Sequence, residues 1–100
     1  MHLVSIPPLL GFVAKHPDSK QSVLAWVAEV KKANWKSPAD IKAQYTTACI
    51  LKSRRVVFNI KGNDYRIIVA VAYSVGFVYI KFIGTHKQYD AVDANTVEQF

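Results

Sequence analysis

Apolar residues recur along the chain in two rhythms, and the change from one to the other falls near residue 48. Before it, Val23, Trp26, Val27 and Val30 stand at i, i+3, i+4 and i+7, the spacing of one buried helix face. Lys31 and Lys32 follow at the end where the helix dipole favours cations. Pro17 precedes this helix, and Asp18 or Ser19 is suited to cap it by accepting from its first free N–H groups. An earlier stripe, Leu9, Leu10 and Val13, follows Pro7 and Pro8, which suit the first turn of a helix. Ser37-Pro38-Ala39-Asp40 offers a cap, a proline and an acid in the order of a helix start, so a third helix is expected over about 38–45. Residues 2–5 fit a short strand.

After residue 48 the period becomes two. Val56, Phe58 and Ile60 alternate with Arg55, Val57, Asn59 and Lys61, which predicts a strand with one greasy and one mostly polar side. Gly62-Asn63-Asp64 is turn chemistry, because Gly and Asn tolerate positive φ. Tyr65 to Tyr73 reads as a second strand, Ser74-Val75-Gly76 as a turn, and Phe77 to Ile83 as a third strand. Three consecutive antiparallel strands thus follow a helical half. The fold class expected is α+β, with N-terminal helices packed on one face of a small twisted, mainly antiparallel sheet. Repeats, low-complexity tracts and long linkers are absent, and 100 residues suit a single domain spanning 1–100.

Composition narrows the class. Apolar residues make up 51%, which excludes a disordered tail. The lone cysteine, Cys49, excludes a scaffold built on internal disulfides, and its apolar neighbours suggest a small buried hydrophobe. Met1 to Lys15 lacks a basic stretch and a continuous apolar run, so no signal peptide is expected. The longest apolar stretch, Ile67 to Tyr73, is far short of the ~20 residues a spanning helix needs. No membrane partner is expected, and the cytoplasm is the default compartment.

Charge changes the picture more. The net charge is +6, which points towards a polyanion and first towards nucleic acid. The excess is localised: between Ile41 and Gly62 stand five cations, Lys42, Lys52, Arg54, Arg55 and Lys61, and no acid. Arg66 and Lys81 continue the series, whereas acids return at Asp64, Asp90, Asp93 and Glu98. Cations on neighbouring strands repel one another, so their clustering favours an anionic ligand. Lys52, Arg54 and Arg55 are candidates for RNA contact, with a solvated loop as the alternative. Lys15, Lys20, Lys31 and Lys32 read instead as wet helix surface.

Candidate chemistry is sparse. His2, His16, His86 and Cys49 lack metal-ligand spacing, and the four glycines are scattered, so neither a metal nor a cofactor is expected. Arg66 lies inside the apolar run YRIIVAVAY, with Ala70 and Ala72 leaving room on its side. It is either an edge-facing or salt-bridged arginine or a fork for two phosphate oxygens. GTHKQYD, directly after the last strand, supplies His86, Lys87, Tyr89 and Asp90. Two readings stand for it: an acid/base site, or a surface turn satisfied by water, with Asp90 as a helix cap.

Three motifs occur together in order: NWKSPADIK, VFNIKGN-x-YR and GTH-x-x-YD. With them, the sequence resembles the HigB type of toxin from bacterial toxin–antitoxin pairs, part of the wider RelE-like group. The resemblance runs from His2 to about Val97. It implies helices on a small antiparallel sheet and metal-independent cleavage of mRNA, typically in the ribosomal A site. The implied partner is a helix-turn-helix antitoxin of the HigA type, through which alone operator DNA would be met. By the same resemblance, Arg66 would stabilise charge on the phosphorane and His86 would serve as acid or base. Lys87 and Tyr89 would stabilise charge, move a proton or stack on a base. Lys52, Arg54 and Arg55 would hold phosphates, with Asn59 and Lys81 on the same face. A non-catalytic RNA- or ribosome-binding module and a basic protein-interaction domain are the competing function classes.

Overall fold

Proline opens three of the helical segments, where its missing N–H removes nothing from the ladder. The computed structural model describes residues Met1–Phe100. Strand β1 (His2–Val4) leads into helix α1 (Ile6–Lys15), a 3₁₀ turn (Pro17–Ser19), α2 (Lys20–Lys32) and α3 (Pro38–Gln44). Strands β2 (Cys49–Ile50), β3 (Arg55–Ile60), β4 (Tyr65–Ala72) and β5 (Phe77–Thr85) follow, and a short helix α4 (His86–Asp90) ends the regular structure. No helix is long and apolar enough to cross a membrane.

The strands form one sheet in the order β1-β5-β4-β3-β2. β1 runs parallel to β5, and the other pairs are antiparallel. The α+β architecture is therefore as the patterning predicts, with two strands more than the three consecutive ones. β5 also runs two residues further than expected, to Thr85. Gly62 and Gly76 take φ of +67° and +75° in the two tight turns.

The helices cover one sheet face. Val23, Trp26, Val27 and Val30 of α2 are all buried there, with Leu9 and Val13 of α1 and Ile41 of α3. From the sheet come Val56, Phe58, Ile60, Tyr65, Ile67, Val69, Val71, Val78, Ile80 and Ile83. Phe58 is the hub, its ring 5.3 Å from Trp26, 6.0 Å from Trp35 and 5.1 Å from Tyr45.

The opposite face is not simply polar. Val57, Ile68 and Phe82 form a second small core, covered by Leu51, Tyr89, Val92, Ala94 and Val97. The carboxyl-terminal tail, residues 91–100, folds back to make this cover. A bulge creates the site for it. Ile68 faces Phe82 while Val69 faces Ile80, so Lys81 is the extra residue in β5. The extra residue reverses the alternation, turning Phe82 outward while Ile80 and Ile83 both reach the helix-side core.

Three local expectations need correction. The first two concern one cap, which neither Asp18 nor Ser19 makes with its side chain: Ser19 Oγ donates to the His16 carbonyl at 2.7 Å. The Asp18 carboxylate instead accepts from Tyr65 Oη at 2.6 Å and Lys61 Nζ at 3.1 Å. Those bonds, the tyrosine's first, hold Asp18 below the usual carboxylate range. Cys49 is exposed rather than buried, because β2 is a two-residue edge strand with nothing beyond it.

Candidate active site

Arg66 sits on β4, the middle strand of five, between Asn59 of β3 and Gly84 of β5. It is only 8% exposed and makes no ion pair. Neither bland reading therefore holds: the strand is not an edge and no carboxylate answers the charge. Neutral groups orient the guanidinium instead. Nη1 donates to the Asn63 carbonyl at 2.9 Å, and Nη2 to Asn63 Oδ1 at 2.6 Å. A longer bond joins Nη1 to the Tyr65 carbonyl at 3.4 Å. The Tyr89 ring packs against the same group, 5.4 Å from its carbon to the centroid. The Nε–H and one Nη2–H remain without a protein acceptor. A largely buried cation held this way is complementary to an incoming anion.

The GTHKQYD segment is a helix rather than a loop. Thr85 caps it: Thr85 Oγ1 accepts from Gln88 N at 3.1 Å, and Gln88 Oε1 accepts from Thr85 N at 2.9 Å. This T-x-x-Q capping box was present in the sequence as a helix-start signal. The His86 backbone N–H also donates to the Asp64 carbonyl at 2.9 Å, which ties α4 to the β3–β4 turn. Helical spacing then sorts the candidates. His86, Tyr89 and Asp90 share a face at i, i+3 and i+4. Asp90 Oδ2 lies 3.4 Å from His86 Nδ1, so Asp90 faces the imidazole and does not cap. Lys87 is exposed and turned about 100° away around the helix.

Gly84 permits this packing. A β-carbon there would lie 2.5 Å from Phe82 Cζ and 2.9 Å from Gln88 Oε1. The strand beside Arg66 thus approaches α4 as closely as only glycine allows.

The basic residues divide into two sets. Lys52 and Arg54 are exposed in the turn before β3 and bond to no other side chain. Arg55 does not join them. It is 6% exposed, and its Nη1 donates to the carbonyls of Val97 at 2.7 Å and Ala94 at 3.3 Å. Its Nη2 meets Glu98 Oε1 at 2.8 Å. Lys81 Nζ takes the other Glu98 oxygen at 3.0 Å. Lys81 first, and Arg55 behind it, keep the Glu98 carboxyl below its ordinary range. Arg55 and Lys81, read from sequence as RNA contacts, therefore hold the tail. Asn59 is half-buried beside Arg66 with its amide unbonded. His, Cys, Asp and Glu side chains gather nowhere in a group of three that would hold a metal ion.

The sequence model of the HigB toxin family, the RelE-like toxic component of a toxin–antitoxin system, matches residues 19–92. The chain is also 30% identical over 92 residues to the mRNA interferase toxin HigB of Escherichia coli K12, covering 90% of this chain and 88% of that protein. The same figures hold for the mRNA interferase HigB proteins of Escherichia coli O157:H7 and Shigella flexneri. This chain belongs to the HigB toxin family.

The family match takes in Arg66, His86, Tyr89 and Asp90 and ends before most of the tail. Three residues that hold this region of the HigB-family chain together are not singled out by the sequence. In the sequence Asn63 is a turn residue, Gly84 opens the segment after the last expected strand, and Glu98 belongs to an acidic tail. The signal for Gly84 was its place between a strand and a capping box. Asn63 meets Arg66 across the turn three residues away, whereas Glu98 carries no local signal, because its partner Arg55 is met only where the tail returns.

Proposed function

We propose that this HigB-family toxin cuts mRNA by directing the substrate's own 2′-OH at the adjacent phosphate. The oriented guanidinium of Arg66, which has no carboxylate partner and packs on Tyr89 of the helix that carries the His86–Asp90 pair, carries this reading. In the reaction, the 2′-oxygen loses its proton and forms a bond to phosphorus. The bond to the 5′-oxygen breaks, and that oxygen takes up a proton. The products are a 2′,3′-cyclic phosphate and a 5′-hydroxyl. Charge builds on the non-bridging oxygens of the phosphorane, where the Nε–H and Nη2–H of Arg66 stabilise it. His86, faced by Asp90, exchanges one of the two protons. The Tyr89 hydroxyl is the second proton-bearing group on the same helix face, and its ring steadies Arg66. Lys87 adds positive charge from the neighbouring side of α4. Lys52 and Arg54 hold flanking phosphates without reading sequence, and Asn59 lines the path between.

No metal or cofactor enters this scheme. The substrate is mRNA in the ribosomal A site, and the compartment is the cytoplasm. A helix-turn-helix antitoxin of the HigA type neutralises the toxin and carries it to operator DNA. The test is to induce the wild type and Arg66→Ala in a host lacking the antitoxin and map transcript 5′ ends. New ends and growth arrest are expected from the wild type alone. Equal ends from both proteins would remove Arg66 from the reaction.

The freedom of Lys52 and Arg54 also fits a non-catalytic RNA- or ribosome-binding module. RNA binding retained by His86→Ala, with no cleavage by either protein in a translating extract, would favour that reading.

A further inference from the structure

The largest cavity lies on the other side of α4, away from His86. It has a volume of about 340 Å³ and is walled by Phe12 and Lys15 of α1, His16 just after it, Gln88 of α4, and Gln99 and Phe100 of the tail. Among its side chains the polar lining is one-sided, and the α-carboxylate of Phe100 is the one anionic group of the lining residues. Gln88 Oε1 is taken by the Thr85 N–H at 2.9 Å, and Gln99 Oε1 by the Ile83 N–H at 2.9 Å. A backbone N–H can be accepted only by the oxygen, so both amides are locked with their NH₂ groups as the free ends. Lys15 is exposed and receives no carboxylate within 4.0 Å, the Phe100 terminus included. No Asp or Glu side chain lines the space. The His16 ring stacks on Phe12 with centroids 4.4 Å apart, which adds a flat wall.

We infer that this cavity is a second phosphate subsite, which takes a phosphodiester of the RNA flanking the one that is cut. Residues bearing an ammonium and two amides with unused N–H donors line one space, and a tetrahedral phosphate with several acceptor oxygens answers them better than a planar carboxylate. The flat Phe12–His16 pair offers a surface for the adjoining base. Gln88 stands about 200° around α4 from His86, so the cavity and the reacting face are opposite sides of one narrow helix. An RNA strand whose reactive phosphate meets Arg66 crosses α4 to reach it. The inference rests on the RNA-cutting reading for the source of the phosphate.

The test uses a 2′-O-methyl RNA trinucleotide, which lacks the attacking hydroxyl, with inorganic phosphate and glutamate as comparison probes. Side-chain amide resonances of Gln88 and Gln99 are followed by NMR in the wild type and in Lys15→Glu, and that of Gln88 in Gln99→Glu. Gln99→Glu keeps an oxygen for the Ile83 N–H and replaces the free NH₂ by a charged acceptor, so the fold is retained and the subsite is not. A melting curve checks this. The trinucleotide should shift both amides, phosphate should shift them more weakly, and each variant should lower trinucleotide affinity by at least about tenfold. Silence of both amides, or equal shifts from glutamate, would overturn the subsite. Transcript cleavage is scored separately. Cleavage with silent amides overturns the subsite alone. Shifted amides in a wild type that cuts nothing support phosphate recognition and overturn the RNA-cutting reading.

Discussion

Arg66 and Tyr89 meet face on, guanidinium over ring at 5.4 Å, although one belongs to the middle of the sheet and the other to the helix after its last strand. Asn63 holds the other side of the guanidinium through its carbonyl and its side-chain oxygen. The site's main cation is thus positioned before any substrate arrives, which is what electrostatic stabilisation of a transition state requires.

Arg66→Lys tests the fork rather than the charge. An ammonium cannot span both Asn63 oxygens and still present paired donors outward. Cleavage by the purified protein on translating ribosomes should fall about 10²–10³-fold. The thermal midpoint should change little, because no carboxylate loses a partner. An unchanged rate would mean that any cation suffices.

His86→Ala should lower the cleavage rate about 10²–10⁴-fold, the range of a lost general acid or base. Asp90→Asn should lower it less, since the imidazole remains and only the carboxylate facing it is gone. Lys87→Ala, off the shared face, should cost least of the three. Single-turnover rates give the ranking, and a larger loss for Lys87→Ala would reverse the roles assigned to α4.

The tail should loosen in acid. Glu98 has a lowered pKa through its hydrogen bond to Lys81 and the nearby charge of Arg55. A depressed carboxylate contributes stability that is fully present above its ordinary value of 4.5 and is lost as pH falls through the lower folded value. Amide exchange of Val97 and Gln99, measured against pH, should therefore accelerate below that range relative to the helix-side core. Glu98→Gln should show faster exchange of the tail already at neutral pH and a weaker acid dependence. Identical profiles for the two proteins would mean that Glu98 does not anchor the tail.

Gly84→Ala should destabilise the protein by about 1–3 kcal/mol, because the new methyl meets the buried Phe82 ring. Urea midpoints measure it. The same substitution presses on Gln88, so cleavage should also drop even where the protein remains folded. A midpoint within error of the wild type would show that Phe82 shifts freely.

Much of the architecture lies on the surface of the sequence. The i, i+3, i+4, i+7 stripe from Val23 to Val30, and the alternation through Val56, Phe58 and Ile60, each name a buried face without reference to the rest of the chain. Backbone geometry makes those periods local properties. An arginine inside an apolar strand, and a histidine and tyrosine just after the next strand, are equally visible as chemistry in search of a place. The family motifs lie over these same residues.

Tertiary structure alone decided which charges are available. Arg54 and Arg55 are neighbours in sequence with the same side chain, yet one is exposed and the other is buried under the tail. The difference comes from Glu98, Val97 and Ala94, some 40 residues further on, which return across the outer face because a bulge at Lys81 turns Phe82 towards them. Likewise, nothing in the local pattern around Arg66 shows that Asn63 oxygens rather than a carboxylate would meet it. Periodicity specifies which side of an element is apolar. Which partner completes a long-range hydrogen bond depends on where distant segments come to rest, and here that separated the exposed cations from those that hold the tail.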